Sequence, residues 1–179
     1  MAHIVSGMVT LIQYLDVLNN QAKLLRPTCC PSCGKLHPWI HGGYPRKPDR
    51  SCDGDEFLNP IIIPRFYCSG CGRTCSALPE CMAAYRWYLW EVQQTVLVLL
   101  LSGKSIYATA KETAPSRSTI RRWLERFKKQ LRLHKDVLCK LFPDLGRFTD
   151  FIDFWKACLQ QISLAQAMRL CHADGVSVP

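Results

Sequence analysis

Four cysteines stand in two matched pairs, Cys30 and Cys33 in CPSCGK and Cys68 and Cys71 in CSGCGR. Each pair is Cys-x-x-Cys followed by glycine and a basic residue. A two-residue gap lets both thiolates of a tight turn reach one tetrahedral ion, and Gly34 or Gly72 can take the positive φ that such a turn requires. Two knuckles supply four sulfurs, which closes a structural zinc site, so one Zn2+ is expected. Iron–sulfur ligation by the same cysteines is the metal alternative. A thioredoxin-like redox centre needs one Cys-x-x-Cys beside a βαβ pattern, and neither pair has that context.

The other cysteines read as ordinary thiols. The total is eleven, an odd number that argues against a fully paired disulfide framework. Cys29 abuts Cys30 and would replace it only with a three-residue gap to Cys33. Cys75 is expected to be a small buried side chain on a short strand, RTCSAL. Cys52 lies in the polar insert DRSCDGDE, and Cys81, Cys139, Cys158 and Cys171 fall on helical patterns. His37 and His41 are rival ligands by type, but four sulfurs already suffice, so they read as surface histidines.

A second set of residues carries charge rather than metal chemistry. Between Lys104 and Lys135 there are ten Lys/Arg and only two acids, Glu112 and Glu125. That surplus of eight (10 − 2) nearly equals the net charge of the whole chain, +9. A basic surplus concentrated in this way points to an anionic partner, nucleic acid before membrane. Ser105 can cap a helix over Ile106 to about Thr113. Pro115 disfavours helix at Ala114, and Ser116 can cap a second helix running to about Leu131. Helix, short turn, helix is the helix-turn-helix order. Ile120, Trp123, Leu124 and Phe127 recur at helical spacing and form the buried side. The candidate contacts to double-stranded DNA are Lys104, Ser116, Arg117, Ser118, Thr119, Arg121, Arg122, Arg126, Lys128 and Lys129. The first turns of such a second helix meet base edges while flanking cations meet phosphates.

The remaining chain must position these two sets. HPWIHGGYPRKPD and NPIIIPRFY read as strands between the knuckles, punctuated by Gly42-Gly43 and prolines. Met8, Leu11, Ile12, Leu15 and Leu18 suit one face of an N-terminal amphipathic helix. From Ala83 the pattern turns helical up to Gly103. Near the C-terminus, Phe151, Trp155, Leu159 and Ile162 form an apolar helical stripe, for core packing or a dimer interface. Ser163 caps a short helix to about His172. The expected architecture is mainly α with a small β zinc ribbon. It divides into an N-terminal helix (1–26), a zinc ribbon (27–80), a helix-turn-helix DNA-binding domain (81–135) and a C-terminal helical region (136–179), the last opening a second helix-turn-helix. No targeting or membrane-spanning segment stands out: Asp16 interrupts the first apolar run, and Val96–Leu101 is too short to cross a bilayer. A cytoplasmic location is expected.

The order CPSCG, IPRFYCSGCGRTCSALP and SIYATAKETAPSRSTIRRWLERF resembles the N-terminal DNA-binding portion of bacterial insertion-sequence transposases. It is also similar to a small uncharacterised bacterial family associated with mobile elements. The resemblance covers roughly residues 27–131. It departs at Cys75, where an aromatic residue would fit the family pattern. It implies a zinc ribbon joined to a helix-turn-helix, with DNA, a transposase subunit or a second copy as partner. A complete transposase would add three carboxylates on an RNase H-like sheet holding two metal ions. The residues after Leu131 read helical and give Asp136, Asp144, Asp150 and Asp153 no strand-rich core, so a non-catalytic protein is expected. The chain then reads as a DNA-binding module or regulator, or as the upstream product of a mobile-element gene. The alternative is a zinc-ribbon adaptor for another protein, its basic helix incidental.

Overall fold

The computed structural model describes residues 2–48, 58, 60–82, 88–176 and 178. The polar insert with Cys52 and the expected helical start at Ala83 lie outside these residues. The chain is mixed α and β and divides into two units, Met1–Leu89 and Trp90–Pro179.

The first unit is built on a four-stranded sheet of order β1-β4-β3-β2. Strands β2 (Trp39–Arg46) and β3 (Ile61–Tyr67) pair antiparallel, as do β3 and β4 (Thr74–Pro79). The β2–β3 register shifts between Ile40 and Gly43. Only glycine fits at Gly43, because a Cβ there would lie 2.9 Å from the Ile62 side chain and 3.1 Å from the Ile63 carbonyl oxygen.

The fourth strand goes beyond what the sequence implies. Residues Ala2–Val5 form β1, parallel to β4, with Ala2 opposite Ser76 and Val5 opposite Pro79. Four residues are too few to display an alternation, and a parallel partner far along the chain leaves no local signature. The helix α1 therefore starts later, at Leu11–Gln21, behind a capping box in which Thr10 and Gln13 satisfy each other's backbone N–H groups. Its buried face also differs from expectation. Leu11 and Tyr14 are buried, while Ile12 is 71% exposed. Tyr14 can go inside because its hydroxyl donates to the Ala77 carbonyl at 3.0 Å. Leu25, Phe66, Cys75 and Ala77 complete this core, so Cys75 is the small buried thiol on a strand that the sequence implies.

The second unit is helical: α2 (Trp90–Leu101), α3 (Ile106–Glu112), α4 (Arg117–Lys129), α5 (Leu131–Leu141), a 3-10 turn (Pro143–Arg147), α6 (Phe151–Gln161) and α7 (Leu164–Ala173). Gly103, at φ +93, ends α2. Lys104 N–H donates to the Leu99 carbonyl and Gly103 N–H to that of Leu100, both at 3.1 Å, the paired bonds of a Schellman cap. Ser105, Ser116, Asp150 and Ser163 each cap the helix that follows. The core is aromatic: Trp155 meets Phe127, His134 and Phe154 edge-on, at centroid distances of 5.2–5.5 Å. The α6 stripe is phased differently from the sequence reading. Phe154, Trp155, Ala157 and Cys158 are buried, whereas Phe151, Leu159 and Ile162 are half-buried. Cys139, Cys158 and Cys171 do lie on helices, but Cys81 sits in the turn after β4.

Candidate metal centre and basic helix

Each knuckle is made by its own backbone. Gly34 N–H donates to the Cys30 carbonyl and Gly72 N–H to that of Cys68, both at 2.9 Å. Both glycines have positive φ, +74 and +67, the conformation their type allows without strain. Ser32 N–H points at Cys30 Sγ and Gly70 N–H at Cys68 Sγ, each at 3.4 Å. The first knuckle leads toward β2 and the second joins β3 to β4, so the sheet register brings them face to face. Arg73 Nη1 donates across the gap to Ser32 Oγ at 3.1 Å.

The sulfurs converge. Cys30 Sγ lies 3.8 Å from Cys71 Sγ, and Cys33 Sγ lies 3.5 Å from Cys68 Sγ. All four fall within 4.8 Å of one another, a cluster able to hold one metal ion. Zinc–sulfur bonds of about 2.3 Å at tetrahedral angles put sulfurs about 3.8 Å apart, so the donor set is consistent with zinc. Cys30 and Cys68 are buried and Cys33 is exposed. The backbone N–H groups of Cys71 and Gly70 hold the Cys68 thiol down to about 6. At Cys33 the Lys35 N–H is the strongest single influence and favours the thiolate, but the hydrogen bonds shared with Cys68, Cys71 and Cys30 together with desolvation outweigh it and push the thiol up to about 11. A cation at the centre replaces such shared protons and lets all four sulfurs ionise.

Among the described residues no other group of three or more His, Cys, Asp or Glu side chains converges in this way. His37 and His41 are exposed and outside the cluster, and Cys29 pairs with Leu36 as an isolated bridge. The four C-terminal aspartates are dispersed: Asp136 on α5, Asp144 in the 3-10 turn, Asp153 on α6, and Asp150 accepting from the Ile152 and Asp153 N–H groups as the α6 cap.

The basic residues gather on α4. Ile120, Trp123 and Phe127 are buried and Leu124 is half-buried, which turns the opposite face outward. At 100° per residue, Ser118, Arg122, Glu125 and Lys129 project furthest from the core, with Arg117, Arg121 and Lys128 on one flank and Arg126 on the other. Arg117, Ser118, Arg121, Arg122, Arg126, Lys128 and Lys129 are all exposed. Ser116 Oγ accepts from Thr119 N–H at 3.4 Å and sits 3.0–3.1 Å from the Ser118 and Thr119 hydroxyls. Arg117 and Lys111 flank the Tyr107 ring at 5.6 and 4.6 Å. Two of the sequence candidates are engaged elsewhere. Lys104 pairs with Glu112 at 2.6 Å, and Lys128 lies over the Phe151 ring at 5.9 Å. Tyr107, 55% exposed between two cations, is absent from the sequence candidates; its spacing of four from Lys111 was the available signal.

No helix among the described residues is long and apolar enough to cross a membrane. No curated protein and no solved structure matches the chain. Residues 24–123, more than half of the length and including all four clustered cysteines, match the profile of one family, so the chain belongs to the family described as a domain of unknown function (DUF6431).

Proposed function

We propose that the chain is a zinc-stabilised, sequence-specific binder of double-stranded DNA, with α3 and α4 acting as a helix-turn-helix. The observation that carries this reading is the distribution of side chains on α4. Its buried stripe is apolar, and its first two turns present Arg117, Ser118, Arg121 and Arg122 outward with no acid among them. Glu125 follows on the same outer face and would repel phosphate, which favours docking by the N-terminal half, the end a recognition helix uses. Arginine suits the paired acceptors of guanine in the major groove.

The metal reading is one structural zinc on Cys30, Cys33, Cys68 and Cys71. An iron–sulfur cluster interposes its own iron and sulfide atoms between its ligands, and sulfurs this close leave no room for them. A closed four-sulfur site has no open position for substrate, so its role is to hold the sheet. The protein is read as non-catalytic and cytoplasmic, a transposase-like DNA-binding module or a transcriptional regulator. Its link to a mobile element rests on the motif resemblance to insertion-sequence transposases.

The adaptor reading is favoured by exposed Leu36 and Ile40, 67% and 69% accessible beside the knuckles. A salt titration separates the two. The zinc-loaded chain is titrated into a random-sequence duplex library at rising salt. DNA binding weakens steeply with salt through counterion release, and the bound fraction is enriched in one motif. Arg121→Ala with Arg122→Ala lowers affinity and flattens enrichment. A folded double variant with unchanged affinity, enrichment and salt slope removes α4 from the interface.

A further inference from the structure

The first unit carries a second surface that the duplex reading does not use. Trp39 on β2 lies directly opposite Tyr67 on β3, and Tyr67 lies opposite Thr74 on β4, so these side chains share one face of the sheet. His41 joins them, its ring 5.8 Å from that of Tyr67. Trp39 is 63% exposed and His41 is also open to solvent. Trp39 is not exposed singly: with Tyr67 and His41 it makes a contiguous aromatic patch, the kind of surface that marks a binding site. Next to His41, Gly42 and Gly43 put no side chain on the strand to overhang the rings.

The same face carries a cation. Arg65, two residues before Tyr67, is exposed, donates to Thr74 Oγ1 at 3.2 Å and lies over the Tyr44 ring at 5.6 Å. Over residues 1–89 the sequence has nine Lys/Arg and six Asp/Glu, four of the acids between Asp49 and Glu56. Beside the rings themselves the charge is positive: Arg26 donates to the His37 and Pro38 carbonyls that lead into Trp39, and Arg65 lies on the face. Glu80 is buried and accepts from Gly7 N–H, so it does not offset the surface charge.

We propose that this face is a stacking platform for the unpaired bases of single-stranded DNA. Flat rings on adjacent strands offer π-faces to splayed bases, and the basic surroundings hold the phosphates that connect them. A protein partner would meet the same rings, but only a strongly acidic one would also match Arg65 and Arg26 beside them. The proposal goes beyond duplex recognition by α4 and does not depend on it.

The test uses the full zinc-loaded chain and two fluorescent probes, an oligo-dT strand and the random-sequence duplex. Trp39→Ala should weaken oligo-dT binding by about 5- to 150-fold, the range for loss of one base–aromatic stack. Duplex binding should be unchanged in that variant. Arg121→Ala with Arg122→Ala should show the converse, so failure of either reading is seen separately. Metal content reports whether the knuckles remain folded. If Trp39→Ala sheds zinc, the comparison passes to Trp39→Phe and Trp39→Leu, which keep apolar bulk. Only the aromatic replacement should then bind the strand. Absence of oligo-dT binding by the wild-type chain at low salt overturns the proposal, as does equal binding by the Phe and Leu variants.

Discussion

Removing one sulfur tests the metal centre most directly. In Cys68→Ser the hydroxyl that replaces the thiol has an ordinary alcohol acidity and is a poor zinc ligand at neutral pH. The neighbouring sulfurs at 3.5–3.8 Å are placed for one ion and lose a quarter of its donors. Structural four-ligand zinc sites contribute roughly 10–16 kcal/mol, or about 3 kcal/mol per ligand if shared evenly. At about 1.4 kcal/mol per decade, that is roughly a hundredfold loss of zinc affinity. Competition with a chromophoric chelator measures it. Cys139→Ser, on α5 in the other unit, should keep wild-type affinity. Cys68→Ser is also expected to loosen the sheet, because the second knuckle joins β3 to β4 and metal binding is coupled to folding there. Wild-type zinc content and affinity in Cys68→Ser, with loss in Cys139→Ser, would refute the assignment.

Gly72→Ala should cost about 1–2 kcal/mol through its left-handed backbone alone, since no atom lies within 4 Å of the added methyl group; weaker zinc retention is the readout. Trp155→Ala removes the centre of the aromatic core and should destabilise the helical unit by about 3–5 kcal/mol, measured as a shift in its urea midpoint with zinc binding intact. Replacing Lys128 and Lys129 with glutamine should weaken binding to all duplex sequences alike and lower the salt slope by about 0.9 for each phosphate left without its cation. An unchanged slope would detach the C-terminal half of α4 from DNA.

What can be read from the sequence is what is encoded locally. The knuckles are legible because spacing, glycine and backbone turn all lie within a few residues. The caps at Ser105, Ser116 and Ser163 are legible for the same reason, since each side chain bonds an N–H three residues on. The buried stripe of α4 follows from four large apolar residues on an otherwise charged helix. The α6 stripe does not, because that helix offers apolar side chains on two adjacent faces. Which face turns inward depends on where Phe127 and His134 arrive from other helices. Cys158 is part of that inner face, and a thiol gives no clear polarity signal. Tyr14 escapes a local reading because its hydroxyl finds its acceptor, the Ala77 carbonyl, 63 residues away. Strand β1 is invisible because its partner is parallel and remote.

The pairing of knuckles has a consequence for how the sheet tolerates change along its chain. Cys33 and Cys68 are 35 residues apart, and a metal between them closes that length into a ring. The entropy of closing a ring grows only with the logarithm of its contour, so doubling the ring costs about 0.6 kcal/mol. That is small beside the contribution of a single thiolate. In sequence, the connection from Arg46 to Ile61 falls inside this ring. A longer connection there would add only this logarithmic cost while the clasp keeps β2 and β3 in register. The clasp uncouples the fidelity of the strand pairing from the length of the segment that joins the strands.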